Sequence, residues 1–478
     1  MTKTKRTHPL GLLDHLAKSV KNWWPLLLII LAQNQSWWGK LLIPAAILIF
    51  VIWPLISWWS ISYRITPTAL EFHSGILVRH HEHIPYARIQ TVQRKQWFYL
   101  APFHLEEVSV ETASHEDGKP EVRLAAVTPD VAALIDRYRQ AANAIPTDNS
   151  TATSAEPVAT PPVQATYALT SRSKWQFILT STGFIPILLV ALGIYGKLPH
   201  DLIERLGSDL AHFSVLLLIG GALVIALGAW LFTAVMLLIR YYRFRATRTN
   251  DQIQVAKGLF QRNTITVPLQ RIQAIRFKQT IFRQWIAIQT TQLLLASRAA
   301  AEDNNDDLVL LPAVTQQQSY ADLHPFVDWT PTTAPDLTAL SVTNGRRWLL
   351  VRNALLIALV PVAIATWLWP TWNALFDIVL IIAFGQGLFA ANNTGGSLVN
   401  HHLLVLQTGH WWTRETYLVP LAKIQSVRLR QSIWMKRTHL MHLTVNVRHG
   451  NNNQAIALRY LTAQQAESIY DWYRMNAN

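Results

Sequence analysis

A histidine-rich segment is the first candidate for chemistry in this sequence. His80, His81 and His83 flank Glu82. Alternate residues of a β-strand share a face, so His81 and His83 would both reach one metal ion on a strand. Two later segments in corresponding places read Asn-Thr-Ile and Glu-Thr-Tyr, and they lack these ligands. We therefore interpret the histidines as part of a solvated strand or turn and keep a metal site as the alternative.

Carboxylates give two further candidates. Glu106, Glu107 and Glu111 are close enough in sequence to act as a general acid–base pair, but the corresponding segment 285–288 is apolar. We interpret these residues as an exposed strand face. Asp377 lies at the start of an apolar segment, and an ionisable group inside a membrane span is a functional hypothesis by default. At the end of a helix, the free-energy cost of a charged group in the membrane is small. We therefore interpret Asp377 as a tolerated residue and keep an ion or proton role as the alternative.

The composition excludes several classes of enzyme. The sequence has no cysteine, no glycine-rich phosphate loop, no His-Glu-x-x-His motif and no serine nucleophile motif. We predict a protein that is not an enzyme and that has no cofactor and no metal. Half of the residues are apolar, the mean hydropathy is +0.16 and the net charge is +14. This combination is typical of a membrane protein with an anionic partner.

A short block occurs three times and indicates an internal repeat. Each copy reads Pro-x-x-base-Ile-Gln-x-aliphatic and ends in base-Gln, at 85–96, 268–279 and 420–431. A glycine precedes each block, and it is one residue farther away in the third copy. A threonine follows each block by about forty residues and opens a predicted helix, over 130–139, 316–326 and 463–474. Thr315 and Thr462 have a glutamine three residues on, which is the capping-box spacing.

The residues between block and helix favour short antiparallel strands. Val108 and Val110 alternate with polar residues, and 443–448 show the same period of two. Each repeat is therefore predicted to be a run of strands closed by one helix, which is typical of a barrel or sandwich.

Apolar stretches long enough to cross a bilayer occur in pairs. They predict about six spans in three hairpins: Asn22–Gly39 with Leu41–Tyr63, Trp175–Gly196 with Phe213–Ile239, and Asn353–Phe376 with Ile378–Ala391. Polar residues 33–36 follow the apolar part of the first segment, which is therefore either a short span or a re-entrant segment. Lys and Arg are concentrated next to the repeats and are sparse at the hairpin tips. The positive-inside rule then predicts a multi-pass protein of the cell membrane with its repeats and both termini in the cytoplasm.

The whole unit resembles the bacterial pleckstrin-homology-like (PH-like) domains found in membrane proteins of the YdbS/YdbT type. Three units on one chain resemble the YdbT type in particular. The resemblance implies an α+β membrane protein with three barrels of about seven strands, each with a C-terminal helix. The predicted segments are a first hairpin at 1–62, PH-like domains at 63–142, 241–328 and 395–478, a disordered linker at 143–166, hairpins at 167–240 and 346–394, and a linker at 329–345.

The candidate binding residues are basic side chains, Lys or Arg, at fixed positions of the repeat. They are Arg88, Lys95, Arg271, Lys278, Lys423 and Arg430. We expect them to share a surface that binds anionic membrane lipids or a partner, because each base near an anionic leaflet contributes about 1 kcal/mol. The competing explanation is that these basic residues only fix the membrane orientation and keep the domains soluble. Nucleic acid is not expected, since exposed aromatic stacking platforms are missing from the pattern.

The leading hypothesis is a non-enzymatic membrane scaffold whose repeats bind protein partners or each other. The expected partner is a smaller membrane protein with the same PH-like domain, and a homo-oligomer is a second option. The resemblance also suggests a role in envelope stress or defence. The alternative is a transporter or lipid-handling protein that uses the six-span bundle, although such a pathway normally requires more intramembrane polar groups.

Overall fold

The strands and helices come from a computed structural model. It describes residues 4–32, 52–76, 78–112, 120–143, 163–195, 215–296, 307–368, 370, 373–450 and 452–476. The strands of the first repeat are β1 Ser62–Ile65, β2 Ala69–Ser74, β3 His80–Pro85, β4 Ile89–Trp97, β5 Glu106–Thr112 and β6 Val122–Val127. Those that follow are β7 Val163–Ala168, β8 Arg245–Thr249, β9 Gln252–Lys257, β10 Gln261–Pro268, β11 Ile272–Gln279, β12 Ile288–Leu295 and β13 Leu308–Thr315. The third repeat contributes β14 Gly395–Val399, β15 Leu403–His410, β16 Thr413–Pro420, β17 Ile424–Arg430, β18 Leu440–His449 and β19 Asn452–Thr462.

Helices precede, separate and close these strands. They are α1 Gly11–Ala32, α2 Pro129–Asn143, α3 Ser171–Leu179, α4 Phe184–Tyr195, α5 Val215–Arg240, α6 Ile281–Trp285, α7 Ser319–Leu323, α8 Trp348–Leu368, α9 Asn373–Asn392, α10 Ile433–Arg437 and α11 Ala463–Asn476. Residues 52–60 are also helical.

The chain divides into two compact units that follow the sheets. Unit 1 is Met1–Val163, Arg248–Arg271 and Ala296–Asp306, and unit 2 is Gln164–Thr247, Ile272–Leu295 and Asp307–Asn478. Unit 1 therefore holds the first repeat together with β9 and β10 of the second. Unit 2 holds β11, β12 and β13 of the second repeat together with the third.

Unit 1 has two antiparallel sheets around one apolar core. The first sheet has the order β1-β2-β3, and the second contains β6-β5-β4-β10-β9. Leu70 from the first sheet, Val92 and Val110 from the second, and Ile135 from α2 are all fully buried in one cluster. Helix α2 also packs on β4. The first repeat is thus a two-sheet fold closed by a helix, with six strands in its described residues 62–76, 78–112 and 120–143, where the resemblance implied about seven.

Unit 2 has the same architecture. One sheet has the order β13-β12-β11-β16-β15-β14, and the other is β17-β18-β19. Leu404, Val445 and Leu458 are fully buried between the two sheets of the third repeat, and Trp472 of α11 packs on them. Ala274 of β11 belongs to the same core. The described part of the third repeat, 395–450 and 452–476, therefore also has six strands and a closing helix.

The repeated block forms a corner between the two sheets of a repeat. Pro85 is extended, with φ −61°, and a 3-10 turn over Tyr86–Arg88 leads into β4. Tyr86 is buried, and its hydroxyl donates a hydrogen bond of 2.7 Å to the Thr66 carbonyl. The same turn occurs at Leu269–Arg271 and Leu421–Lys423. The geometry of this corner therefore explains why the block recurs in the three repeats, independently of any role at the surface.

In two of the three repeats, the backbone conformation explains why a glycine precedes the block. Gly75 has φ +102° and Gly258 has φ +112°, which is a region that side chains rarely adopt. In the third repeat the turn between β15 and β16 consists of Trp411 and Trp412, with φ +48° and +58°. This two-residue turn with positive φ at both positions explains why the third repeat departs from the spacing of the others.

Two of the three closing helices agree with their predicted spans. The Gln465 N–H donates to Thr462 Oγ1 at 3.2 Å, and the Thr462 N–H donates to Gln465 Oε1 at 3.0 Å, so the predicted capping box caps α11. The helix predicted over 316–326 is short. There the Thr315 hydroxyl bonds the Gln318 side chain at 2.9 Å, and only α7 is α-helical.

The described apolar helices support part of the predicted membrane anchor. Gly220–Arg240 of α5 and all of α8 are long and apolar enough to cross a bilayer, and α9 has a shorter apolar stretch, Phe376–Asn392. Helices α8 and α9 pack along each other as a hairpin. A Cβ at Gly387 would overlap the Cα of Val351, so this hairpin depends on a close approach.

Other predicted segments are divided or lie outside the described residues. The predicted span 175–196 consists of α3 and α4, separated at 180–183, because the Thr180 hydroxyl donates back to the Gln176 carbonyl at 2.6 Å where α3 ends. Residues 33–51 of the first hairpin, 196–214 of the second and 144–162 of the linker lie outside the described residues. Residues 163–166, also assigned to the disordered linker, begin strand β7 instead.

Candidate functional site

The first base of each repeated block lies at the end of the 3-10 corner. Arg88 is exposed, and Arg271 and Lys423 are partly exposed. Lys423 also lines a groove of about 880 Å³ in unit 2, which includes Asp328, Asn400 and Leu421. These corner bases are at least partly accessible to solvent, and a shared surface that binds anionic lipids or a partner remains a prediction.

The second base of the first two blocks lies inside a sheet. Lys95 of β4 is opposite Asn263 of β10 on one side and Glu107 of β5 on the other. Lys278 of β11 is opposite Glu415 of β16. Strand pairing on both sides therefore accounts for this base in the first two blocks, independently of any lipid.

Arg430 of β17 differs from these two bases. It is opposite His442 of β18 and is exposed. Within the described residues, β17 is the edge of its sheet.

Two junctions between repeats are the prominent feature that the sequence did not reveal. Strand β10 of the second repeat pairs with β4 of the first, and β16 of the third repeat pairs with β11 of the second. In both cases the third strand of one repeat joins the fourth strand of the preceding repeat. The repeats are thus joined head to tail by backbone hydrogen bonds within continuous sheets.

The junction in unit 1 is neutral at the position of Gln93. Gln93 Nε2 donates a hydrogen bond of 3.0 Å to Asn263 Oδ1, and both side chains are buried. At the end of the ladder the Phe98 N–H donates to the Phe260 carbonyl at 2.8 Å, and the two rings make an edge contact. Backbone pairing, a buried amide pair and a ring contact therefore contribute to this junction.

The junction in unit 2 carries a buried charge network at the matching position. Arg276 forms an ion pair with Asp307 and lies 3.7 Å from Glu415, and the Tyr417 hydroxyl donates to Glu415 at 2.7 Å. His449 Nε2 lies 2.5 Å from the other oxygen of Asp307. Burial alone would lower the pKa of Arg276, but Asp307 and Glu415 outweigh it and raise that pKa. The guanidinium therefore stays charged between two carboxylates.

An arginine–glutamine pair also recurs in both junctions. Arg262 is opposite Gln96, and Arg414 is opposite Gln279. In the second junction Arg414 Nε donates to Gln279 Oε1 at 3.0 Å. The signal that would have revealed this pair was present in the sequence. An arginine stands six residues before each block proline, and Arg79 is its counterpart in the first repeat.

The structure reassigns the acidic candidates. Glu106 and Glu107 are buried, so the interpretation as an exposed strand face is wrong. Arg94 donates to both oxygens of Glu106, at 2.8 and 3.0 Å. Arg123 forms ion pairs with both Glu107 and Asp14. Buried carboxylates of this kind are stabilised by their arginines, which leaves them in structural ion pairs.

The histidine segment forms strand β3. His80, His81 and His83 are exposed, as the solvated-strand interpretation expects. His81 Nδ1 contacts Nδ1 of His73 on the neighbouring strand. Among the described residues, no group of three or more His, Cys, Asp or Glu side chains has the arrangement of a metal site. Asp377 is exposed in the first turns of α9.

Comparison with known proteins agrees with this architecture. The family model of the bacterial PH domain matches residues 24–142, 201–316 and 339–477. The chain is 23% identical over 498 residues to the UPF0699 transmembrane protein YdbT of Bacillus subtilis (strain 168), and the match covers 99% of this chain and 98% of that protein. No solved structure matches. With three matched domains and helices fit to cross a bilayer, this chain is a membrane protein that belongs to the bacterial PH domain family.

Proposed function

We propose that this chain is a non-enzymatic scaffold in the cell membrane. Its cytoplasmic PH-like repeats bind each other and protein partners at the anionic inner surface. The observation that carries the proposal is the pair of junctions, β4–β10 and β11–β16, in which one repeat adds its edge strand to the sheet of another. Strand addition is a general mode of protein recognition, because backbone hydrogen bonds supply affinity and side chains supply specificity.

The membrane anchor supports the same proposal. Attachment to a bilayer raises the effective concentration of every repeat near the surface, so weak contacts add into a stable assembly. The accessible corner bases Arg88 and Lys423 would add electrostatic attraction to anionic lipids. The expected partner is a smaller membrane protein with the same PH-like domain, because such a domain offers the same kinds of sheet edge.

Cross-linking in native membranes, followed by identification of the captured peptides, tests the scaffold role. We expect cross-links from this chain to other PH-like membrane proteins or to other copies of itself. Cross-links confined to single chains, with no partner of this kind, would reject the scaffold.

The lipid component has a separate test. The full-length protein is placed in nanodiscs with and without phosphatidylglycerol, and acetylation of Lys423 is measured. We expect slower acetylation in the anionic discs and recovery at high salt, because salt screens surface charges. Equal rates in both discs would remove lipid binding from the proposal and leave the protein contacts.

A further inference from the structure

The two junctions repeat one geometric rule. Arg262 and Arg414 stand six residues before the prolines of their own blocks, and their partners Gln96 and Gln279 end the preceding blocks. The remaining pairs follow in step, since Asn263 is opposite Lys95 and Glu415 is opposite Lys278. The register is therefore the same in both junctions. A register that occurs twice is a property of the repeat, while the side chains at the varying positions differ between the two junctions.

Three repeats supply six strands of the joining type, and four of them are used. The two that remain are β3 of the first repeat and β17 of the third, which end their sheets within the described residues. Their side chains are correspondingly exposed. Val92 and Ile275 are fully buried in the joined strands, whereas Val427 is partly exposed at the same position of β17.

The open strand β3 shows the same contrast. Asn263 and Thr266 are buried in β10, whereas His80 and His83 are exposed at the same positions of β3. Exposed strand edges of this kind are templates for further pairing unless something protects them.

We propose that β3 of one copy pairs with β17 of a second copy, in the register of the internal junctions. The inference rests on the proposed scaffold function and names the partner as this chain itself. The contact is heterologous, because the two edges differ and neither is complementary to itself. Such contacts build rings where the rotation closes and open chains where it does not.

Charge complementarity supports this pairing. The shared register places Glu82 of β3 opposite Arg428 of β17, as Tyr417 is placed opposite Arg276 inside the chain. Both Glu82 and Arg428 are accessible. Opposite charges directly across a strand pair stabilise it.

The arginine–glutamine pair would also recur. The register places Arg79 opposite Gln431. Gln431 Nε2 donates to the Leu440 carbonyl at 3.0 Å within its own repeat, so its side chain is already positioned. Its Oε1 can then accept from Arg79, which is the contact that Gln279 Oε1 makes with Arg414. Two side-chain pairs therefore match the open edges to each other.

The test exploits the absence of cysteine from the chain. Full-length Glu82→Cys and Arg428→Cys variants with different tags are expressed together, and their membranes are oxidised. We expect a disulfide-linked product that carries both tags, and no such product from either variant alone. A double Lys95→Cys/Asn263→Cys variant is the internal standard, because these residues face each other in the first junction.

Charge exchange gives a second measurement that does not depend on cysteines at the charged positions. With His81→Cys and Leu429→Cys as reporters, Glu82→Arg should lower the cross-linking yield about fivefold, which corresponds to about 1 kcal/mol. Adding Arg428→Glu on the other copy should restore the yield. A yield that both changes leave unaffected would overturn the proposed register.

The remaining outcomes separate this inference from the scaffold role. A disulfide formed within one chain by the double Glu82→Cys/Arg428→Cys variant would overturn pairing between copies. Capture of a different PH-like membrane protein by Arg428→Cys, with no two-tag product, would overturn the second copy as the occupant and leave the scaffold intact. If the internal standard forms its disulfide and neither open edge gives a product, the inference is wrong and the scaffold proposal stands.

Discussion

The charge network at the β11–β16 junction gives a quantitative prediction. Replacing Arg276 with glutamine leaves Asp307 and Glu415 buried without their shared cation, and their side chains are only 2% and 9% exposed. Removing one partner of a buried pair costs about 3–5 kcal/mol. His449 still contacts Asp307, so the lower end applies. We expect Arg276→Gln to destabilise the junction by about 3 kcal/mol, or more than 100-fold in its opening equilibrium.

The chain supplies its own matched control. Gln93 occupies the position of Arg276 in the other junction, where it makes one neutral hydrogen bond to Asn263. Gln93→Ala should cost about 1 kcal/mol, or about fivefold. The double variant Arg276→Gln/Glu415→Asn recreates the neutral amide pair and should recover part of the loss.

Amide hydrogen exchange of the full-length protein in nanodiscs measures both effects. Protection of the β11 and β16 amides should fall by about two orders of magnitude in Arg276→Gln, while β4 and β10 are unchanged. Gln93→Ala should show the smaller loss in β4 and β10. The reasoning is refuted if Arg276→Gln lowers protection no more than Gln93→Ala does.

Three further predictions concern local features. Gly387→Ala should separate α8 from α9 and lower the thermal stability of the detergent-solubilised protein, with Gly228→Ala, which has open space, as its control. Burial is the main cause that lowers the pKa of His442, and nearby arginines lower it further. The Nδ1 atom of His442 accepts a hydrogen bond from the Tyr460 N–H. Exchange protection at that amide should therefore fall as the pH drops below 6.5, and His442→Gln should remove this dependence. Thr462→Ala removes the cap of α11 and should cost about 1 kcal/mol, measured by exchange in that helix.

Local patterns in the sequence were sufficient for the strand runs and for the closing helices of the first and third repeats. Strand alternation and the threonine caps predicted these elements, because each depends on neighbours in sequence, whereas the corner formed by the block of Pro85 and its counterparts was not predicted. The partners of strand edges depend on residues far apart, and no local pattern encodes them. The burial of Glu106 was missed for the same reason, since its cation, Arg94, comes from another strand.

The positions that vary between repeats explain how the edges select partners. In the block, Gln93, Arg276 and Arg428 occupy one position, and the two strands that receive Gln93 and Arg276 differ accordingly. Strand β10 offers an amide to Gln93, and β16 offers Glu415 to Arg276. If β11 paired with β10 instead, Arg276 would keep Asp307 but lose its second carboxylate, Glu415, and this loss is a penalty against the wrong partner. On β3, His80 holds the position of Asn263 and Glu415, and Glu82 is the carboxylate that the shared register places directly opposite Arg428. Among the described strands of the joining type, β10 and β16 are already paired, which leaves β3, with Glu82, for the proposed pairing with another copy.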